Sequence, residues 1–183
     1  MRIGTFQPTP GPVRSSRRTI AFALCCLVAA GSLTAAGCGD EQKKVSSADR
    51  AAFDRFADGA RDWRRQGSDP WLKAFNEGGG QLAVVAPTVE AKMQASIKQM
   101  KSAANDISEP AVRKALLALV ATYGQKLDAI KGIDSERYSL ARIKAGLDEL
   151  KAAGTQTKKA WEAYVAKAKK TWNSNPLAGL KVG

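Results

Sequence analysis

From Ser46 onward the apolar residues return every three or four positions, and no stretch alternates convincingly with period two, so the chain reads as all-α. A first helix opens at Ser46 or Ser47, both good N-caps, and places Phe53, Phe56, Ala60 and Trp63 on one face before stopping near Gly67. Ser68-Asp69-Pro70 then reads as a turn and a fresh start for a short segment carrying Trp71, Leu72 and Phe75, which the Gly78-Gly79-Gly80 run breaks. The second long helix aligns Val89, Met93, Ile97, Met100, Ala104 and Ile107. Either Pro87 lies in its first turn, or the helix begins near Gln81, uses Leu82 and Val85 as core positions and passes through Pro87. The third opens at Ser108-Glu109-Pro110 and carries Val112, Leu116, Leu119, Tyr123, Leu127 and Ile130. Leu117 and Val120 widen that face, which predicts the most buried helix.

The last segment keeps one heptad register through Leu140, Ile143, Leu147, Leu150, Gly154, Thr157, Trp161, Tyr164, Ala168 and Thr171. An independent helix after Gly154 has no reason to preserve that register. The pattern therefore predicts one helix over residues 135–172, with Gly154 and Thr157 the place for any bend. Four main helices with short connections make an up-and-down bundle over residues 46–172, with a short extra helix at one end, and residues 173–183, with Pro176 and two glycines, read as a flexible tail.

Ahead of the bundle the pattern changes. Residues 1–19 are basic and free of acid, and residues 20–36 carry no charge and end in small side chains, the layout of a secretory signal. About 17 apolar residues sit at the short edge of a membrane span, so a retained anchor is the second reading. The junction Leu33-Thr34-Ala35-Ala36-Gly37-Cys38 resembles the lipobox of bacterial lipoprotein precursors, with Ala35 where leucine is the commoner residue. The resemblance covers the leader only and says nothing about the family of the mature domain. It implies cleavage between Gly37 and Cys38, acylation of Cys38, and lipid anchoring to the extracytoplasmic face of a bacterial membrane. Two acyl chains suffice for stable attachment, where one gives marginal binding. Residues 38–45 then form a lipidated terminus and tether. Ser16-Arg17-Arg18-Thr19-Ile20-Ala21 is also similar to a twin-arginine export signal, which would carry the domain across already folded.

Composition narrows the chemistry further. The net charge of +12 includes Arg2, Arg14, Arg17 and Arg18 of the leader, and most of what remains falls in residues 151–183, where seven lysines face one acid, Glu162. Cys25 and Cys26 lie in the leader, so a mature chain keeps only Cys38 and folds without an internal disulfide. The complete lack of histidine excludes Ser-His-Asp and Cys-His hydrolases and the Glu-x-x-His motif of di-iron bundles.

Asp54, Asp58 and Asp62 share one face of the first helix, where three carboxylates suit a hard cation, but Arg50, Arg55, Arg61 and Arg65 stand three or four residues from them and favour a charge-paired surface. Trp63, Trp71 and Phe75 beside Arg61, Arg64 and Arg65 read either as a plug closing the bundle end or as an aromatic and cationic pocket, and Met93 and Met100 as core fillers. Lys158, Lys159, Lys167, Lys169 and Lys170, interleaved with Trp161, Tyr164 and Trp172, suit contact with an anionic surface, or else form a solvated face over a core-facing aromatic stripe.

These features predict no catalytic residue, no metal, no cofactor and no nucleic-acid partner. The expectation is a non-enzymatic envelope lipoprotein that presents a helical surface to another envelope component, anionic lipid, wall polymer or protein. The alternative is a binding module for an apolar or anionic small ligand held between helices. A histidine-free cell-wall hydrolase would need two facing, buried carboxylates in a cleft.

Overall fold

A computed structural model describes residues 43–77, 79–135 and 139–182; the leader, Gly37 and Cys38 lie outside them. Helix α1 (Ser47–Asp62) starts where Ser46 accepts a hydrogen bond from the Asp49 N–H, as the cap pattern predicts. The helix does not stop at Gly67. It passes through a π-helical turn, Trp63–Ser68, into α2 (Asp69–Asn76), and the Asp69 N–H donates to the Arg64 carbonyl five residues back. Pro70 supplies the reason: its ring would press on the carbonyl four residues earlier in a regular α-turn, and the wider π turn gives it room.

Helix α3 (Gly79–Asn105) runs back along the whole of this arm and contains Pro87, so the longer of the two sequence readings holds. Pro87 is exposed, which leaves the carbonyl its missing N–H would have served on the solvent side. The arm and α3 are antiparallel. Asp49 of α1 meets Ser108 just past the end of α3, Gly59 lies on Ser96 and Met100, and Gly67 lies on Met93. A Cβ at Gly59 would stand 2.9 Å from Met100 Cγ and 3.3 Å from the Ser96 carbonyl oxygen, so the glycine is what lets the helices approach this closely.

Helix α4 (Pro110–Ser135) packs between α3 and α5 (Leu140–Trp172), and is the most buried element, with Val112, Leu116, Leu119, Tyr123, Leu127, Ile130 and Ile133 each under 5% exposed. Helix α5 is continuous through Gly154 and spans about 50 Å at roughly 1.5 Å per residue. It begins at Leu140 rather than at residue 135, because Ser135 belongs to α4 and Ser139, in extended conformation, supplies the cap that accepts from the Arg142 N–H. Phe53 of α1 reaches α5, its ring 5.6 Å from Trp172 edge-on and 6.3 Å from Tyr164, which closes the bundle.

The expected seam of α5 drifts. Leu150, Thr157, Trp161, Tyr164 and Ala168 face inward and Ile143 is half-buried, but Leu140 and Leu147 are 85% and 39% exposed, and Gly146, Ala153 and Trp172 take buried places. A straight helix turns ~20° per heptad against a 3.5-residue repeat, so a strict heptad stripe that faces the core at Thr157, Tyr164 and Ala168 has turned away from it at Leu147 and Leu140. The segment expected to fray after residue 172 instead folds back. Asn173 adopts φ 52° as a left-handed cap, its N–H donating to the Lys169 carbonyl, and Leu177, 3% exposed, joins the core with Leu180 and Val182 against it. The unit Asp40–Gly183 thus has one contiguous core of its own, and none of its described helices is long and apolar enough to cross a membrane.

Candidate functional site

Helix α5 separates its aromatic and basic residues onto different faces. Tyr164 and Trp172 are 0% and 7% exposed, and Trp161 packs on Tyr164 with ring centroids 5.3 Å apart. Lys158, Lys159, Lys167, Lys169 and Lys170 are all exposed, and none makes an ion pair among the described residues. The aromatics are therefore committed to the core, and the lysines are left as an exposed, charged face without them. Two of the five have a structural use as well, since Lys169 and Lys170 in the last turn oppose the negative end of the helix dipole.

Two of the three carboxylates of the ladder on α1, Asp58 and Asp62 but not Asp54, are paired with arginines among the described residues. Asp58 accepts from Arg61 at 2.7 Å and Asp62 from Arg65 at 2.9 Å, while Arg55 turns across to Asp106 at 2.9 Å. No cluster of three or more metal-ligating side chains occurs among the described residues. Met93 and Met100, both 0% exposed, fill the space over Gly67 and Gly59. Trp63, Trp71 and Phe75 form a packed end to the bundle: Trp71 stacks on Phe75 at 5.1 Å, and Trp63 meets Tyr123 edge-on at 5.2 Å. Burial pushes the Tyr123 phenol up to about 12, so it remains neutral at physiological pH.

Three buried charged residues were not singled out by the sequence reading. Asp49, 2% exposed, accepts from the Ser108 N–H and hydroxyl, both at 2.7 Å, and ties the start of α1 to the α3–α4 turn. Asp134, 7% exposed, accepts from the Trp71 indole N–H at 3.0 Å and 3.2 Å. Lys126, 7% exposed, lies over the Tyr123 ring at 5.5 Å from its centroid, and burial pushes its pKa down. Each had a signal. Asp49 stands four residues before Phe53, Lys126 three after Tyr123 and Asp134 four after Ile130, so all lie on apolar stripes. The two buried carboxylates do not face one another: Asp49 is held at one end of the arm and Asp134 meets Trp71 at the other, about 33 Å of helix apart at 1.5 Å per residue.

Beside Lys126 the surface opens. A cleft of about 260 Å³ is lined by Trp63, Ser68, Trp71, Leu72, Lys126, Ile130, Leu150 and Gly154, drawing walls from the π turn, α2, α4 and α5. A second, of about 510 Å³, shares Trp63, Ser68 and Leu72 and continues past Tyr123 to Lys181 and Val182. Comparison of the chain with protein-family models, curated proteins and solved structures gives no match.

Proposed function

We propose that the chain is a non-enzymatic lipoprotein of a bacterial envelope, anchored through Cys38, whose helical bundle presents the lysine face of α5 to an anionic envelope component. The observation that carries this reading is the exposure of Lys158, Lys159, Lys167, Lys169 and Lys170 without ion-pair partners among the described residues, on a helix whose aromatic side is taken up by the core. Within residues 154–172 only Glu162 opposes them. Lys43 pairs with Glu109 at 3.3 Å and Val45 packs against the core, so the tether left is residues 39–42 rather than 39–45; it reaches at most about 14 Å at roughly 3.5 Å per residue, which holds the bundle close to its membrane. At that range each lysine contributes on the order of 1 kcal/mol near an anionic bilayer, decaying within a Debye length of about 10 Å at 0.1 M salt.

The test is binding of the Asp40–Gly183 unit to vesicles containing phosphatidylglycerol and to purified anionic wall polymer, at low and high salt. Binding should weaken steeply with salt. It should disappear when the five lysines are replaced by Gln, with helical circular dichroism unchanged. Absence of binding by the unmutated unit at low salt would contradict the reading and reduce the lysines to a solvated face.

A further inference from the structure

The N-terminal half of α5 keeps its small side chains inside the bundle and its large ones outside. Gly146 and Ala153 are buried, and a Cβ at Gly146 would meet Ile133 of α4. Leu140 and Leu147 are 85% and 39% exposed, with Ile143 half-buried between them. Leucine at position 140 adds nothing to the core. Apolar residues at strict heptad spacing, here Leu140, Ile143, Leu147 and Leu150, are the pattern by which one helix receives another.

That stripe borders a groove. Helix α5 packs on α4, and side chains bridge its seam with the arm: Phe53 on Tyr164 and Trp172, then the returning tail through Leu177. Farther along, the seam opens into the cleft of about 260 Å³, with Leu150 and Gly154 of α5 on one wall and Trp63, Trp71 and Leu72 of the arm on the other. Leu147 and Leu140 carry the α5 wall onward, one and two heptads before Gly154, and Leu72, 46% exposed, stands on the opposite rim. Three of the four large apolar side chains exposed among the described residues therefore edge this one groove; the other is Val84 of α3. From Leu140 to Gly154 the wall is about 21 Å long at 1.5 Å per residue, the length of about four helical turns. A contiguous apolar edge of this kind marks an interaction surface, where a lone exposed leucine would not.

Charge identifies the occupant. Lys144 and Lys151 each follow an exposed leucine by four residues, about 40° farther round the helix from α4, and so line the outer rim of the groove. Both are exposed, and neither makes an ion pair among the described residues. Asp148 lies about 40° beyond Lys144 again, on the solvent side. A second copy laid antiparallel on the same stripe would set these lysines against their own counterparts, whereas an acidic helix would meet them with opposite charge.

From this arrangement we infer that the groove between α2 and the N-terminal half of α5 is the docking site for an amphipathic helix of a partner protein, its heptad-spaced apolar residues lying on Leu72, Leu140, Leu147 and Leu150 and its flanking Asp or Glu side chains facing Lys144 and Lys151. The mode is that of a helix seated in a groove, with apolar anchors giving affinity and the charged flank giving choice of partner. Neither lysine belongs to the five of the proposed surface contact.

The experiment is fluorescence anisotropy of a labelled three-heptad peptide, Leu at positions a and d and Glu at e and g, titrated with the Asp40–Gly183 unit. A second peptide carries Lys in place of Glu. The acidic peptide should bind with a Kd on the order of 100 μM, about tenfold more tightly than the basic one. Lys144→Glu with Lys151→Glu should reverse that preference. Leu140→Gln with Leu147→Gln, both at exposed positions, should weaken the acidic peptide by about tenfold with helical circular dichroism unchanged. Replacing Lys158, Lys159, Lys167, Lys169 and Lys170 by Gln should leave its affinity within about threefold, which separates this groove from the lysine face. Equal affinity for the two peptides, no binding at about 1 mM, or loss of binding in the five-Gln variant would each overturn the inference. So would a concentration-dependent dimer in sedimentation that Leu140→Gln with Leu147→Gln abolishes, since the stripe would then belong to a second copy of this chain.

Discussion

A carboxylate that is 2% exposed and accepts hydrogen bonds from a backbone N–H and from two hydroxyls does so as an anion. For Asp49, burial alone would raise the pKa, but the Ser108 and Ser46 hydrogen bonds outweigh it and hold the group below the usual carboxylate range. A lowered folded pKa contributes stability that is complete above the unfolded value near 4 and is lost as pH falls through the folded one. Asp49→Asn should therefore cost about 1 to 3 kcal/mol in urea unfolding at pH 7, and the cost should shrink as pH is lowered from the unfolded value near 4 through the lowered folded pKa of Asp49. A cost that stays constant throughout acid titration of the folded protein would contradict this. Glycines offer a paired test at the same scale. Gly59→Ala should destabilise by about 1 to 3 kcal/mol, since the new methyl meets Met100 Cγ and a backbone carbonyl, whereas Gly124→Ala, with nothing within 4 Å, should stabilise by about 0.5 to 1 kcal/mol. Which glycine is which cannot be read along the chain, because it depends on the neighbouring helix. The positions of Asp49, Lys126 and Asp134 can: each falls on an apolar stripe, and it is their charge that hides them from a reading that assigns polar residues to solvent.

Helix boundaries followed their chemistry where a side chain caps them and departed from it where tertiary packing decides. Ser46 and Pro110 were legible as starts, and Ser139 displaces the start of α5 from residue 135 to Leu140 through its own cap. The π turn was not legible, since Gly67, Ser68 and Pro70 carry the signals of a stop; contact of α1, the turn and α2 with α3 carries the helix through them. Continuity of α5 across Gly154 was legible from the preserved periodicity, and its inward face was legible from Leu150 to Ala168 but not at Leu140 and Leu147, where the stripe has drifted out of the core. Spin labels at Arg142 and Lys169 should lie about 40 Å apart, as 27 residues at 1.5 Å each require. A distribution centred near half that distance would show a hairpin at Gly154.

Over the whole molecule, an antiparallel arm and α3, then α4 and α5, wind into a bundle whose end is stopped by Trp63, Trp71 and Phe75 and whose last residues return to the core through Leu177. The bundle was legible because four amphipathic stripes with short connections admit few other arrangements. The cleft at Gly154 was not, because its walls come from four separate elements. The proposed role places this bundle on a membrane through a residue outside the described ones, and the attachment is the claim on which the role depends. The measurement that tests it most directly is metabolic labelling with a radioactive or alkyne fatty acid in a bacterial host, followed by membrane fractionation, for the wild type and Cys38→Ala. The account predicts label on the wild-type chain in the membrane fraction and none on Cys38→Ala, which should remain as the larger, uncleaved precursor. An unlabelled wild type, or label that persists on Cys38→Ala, would contradict it.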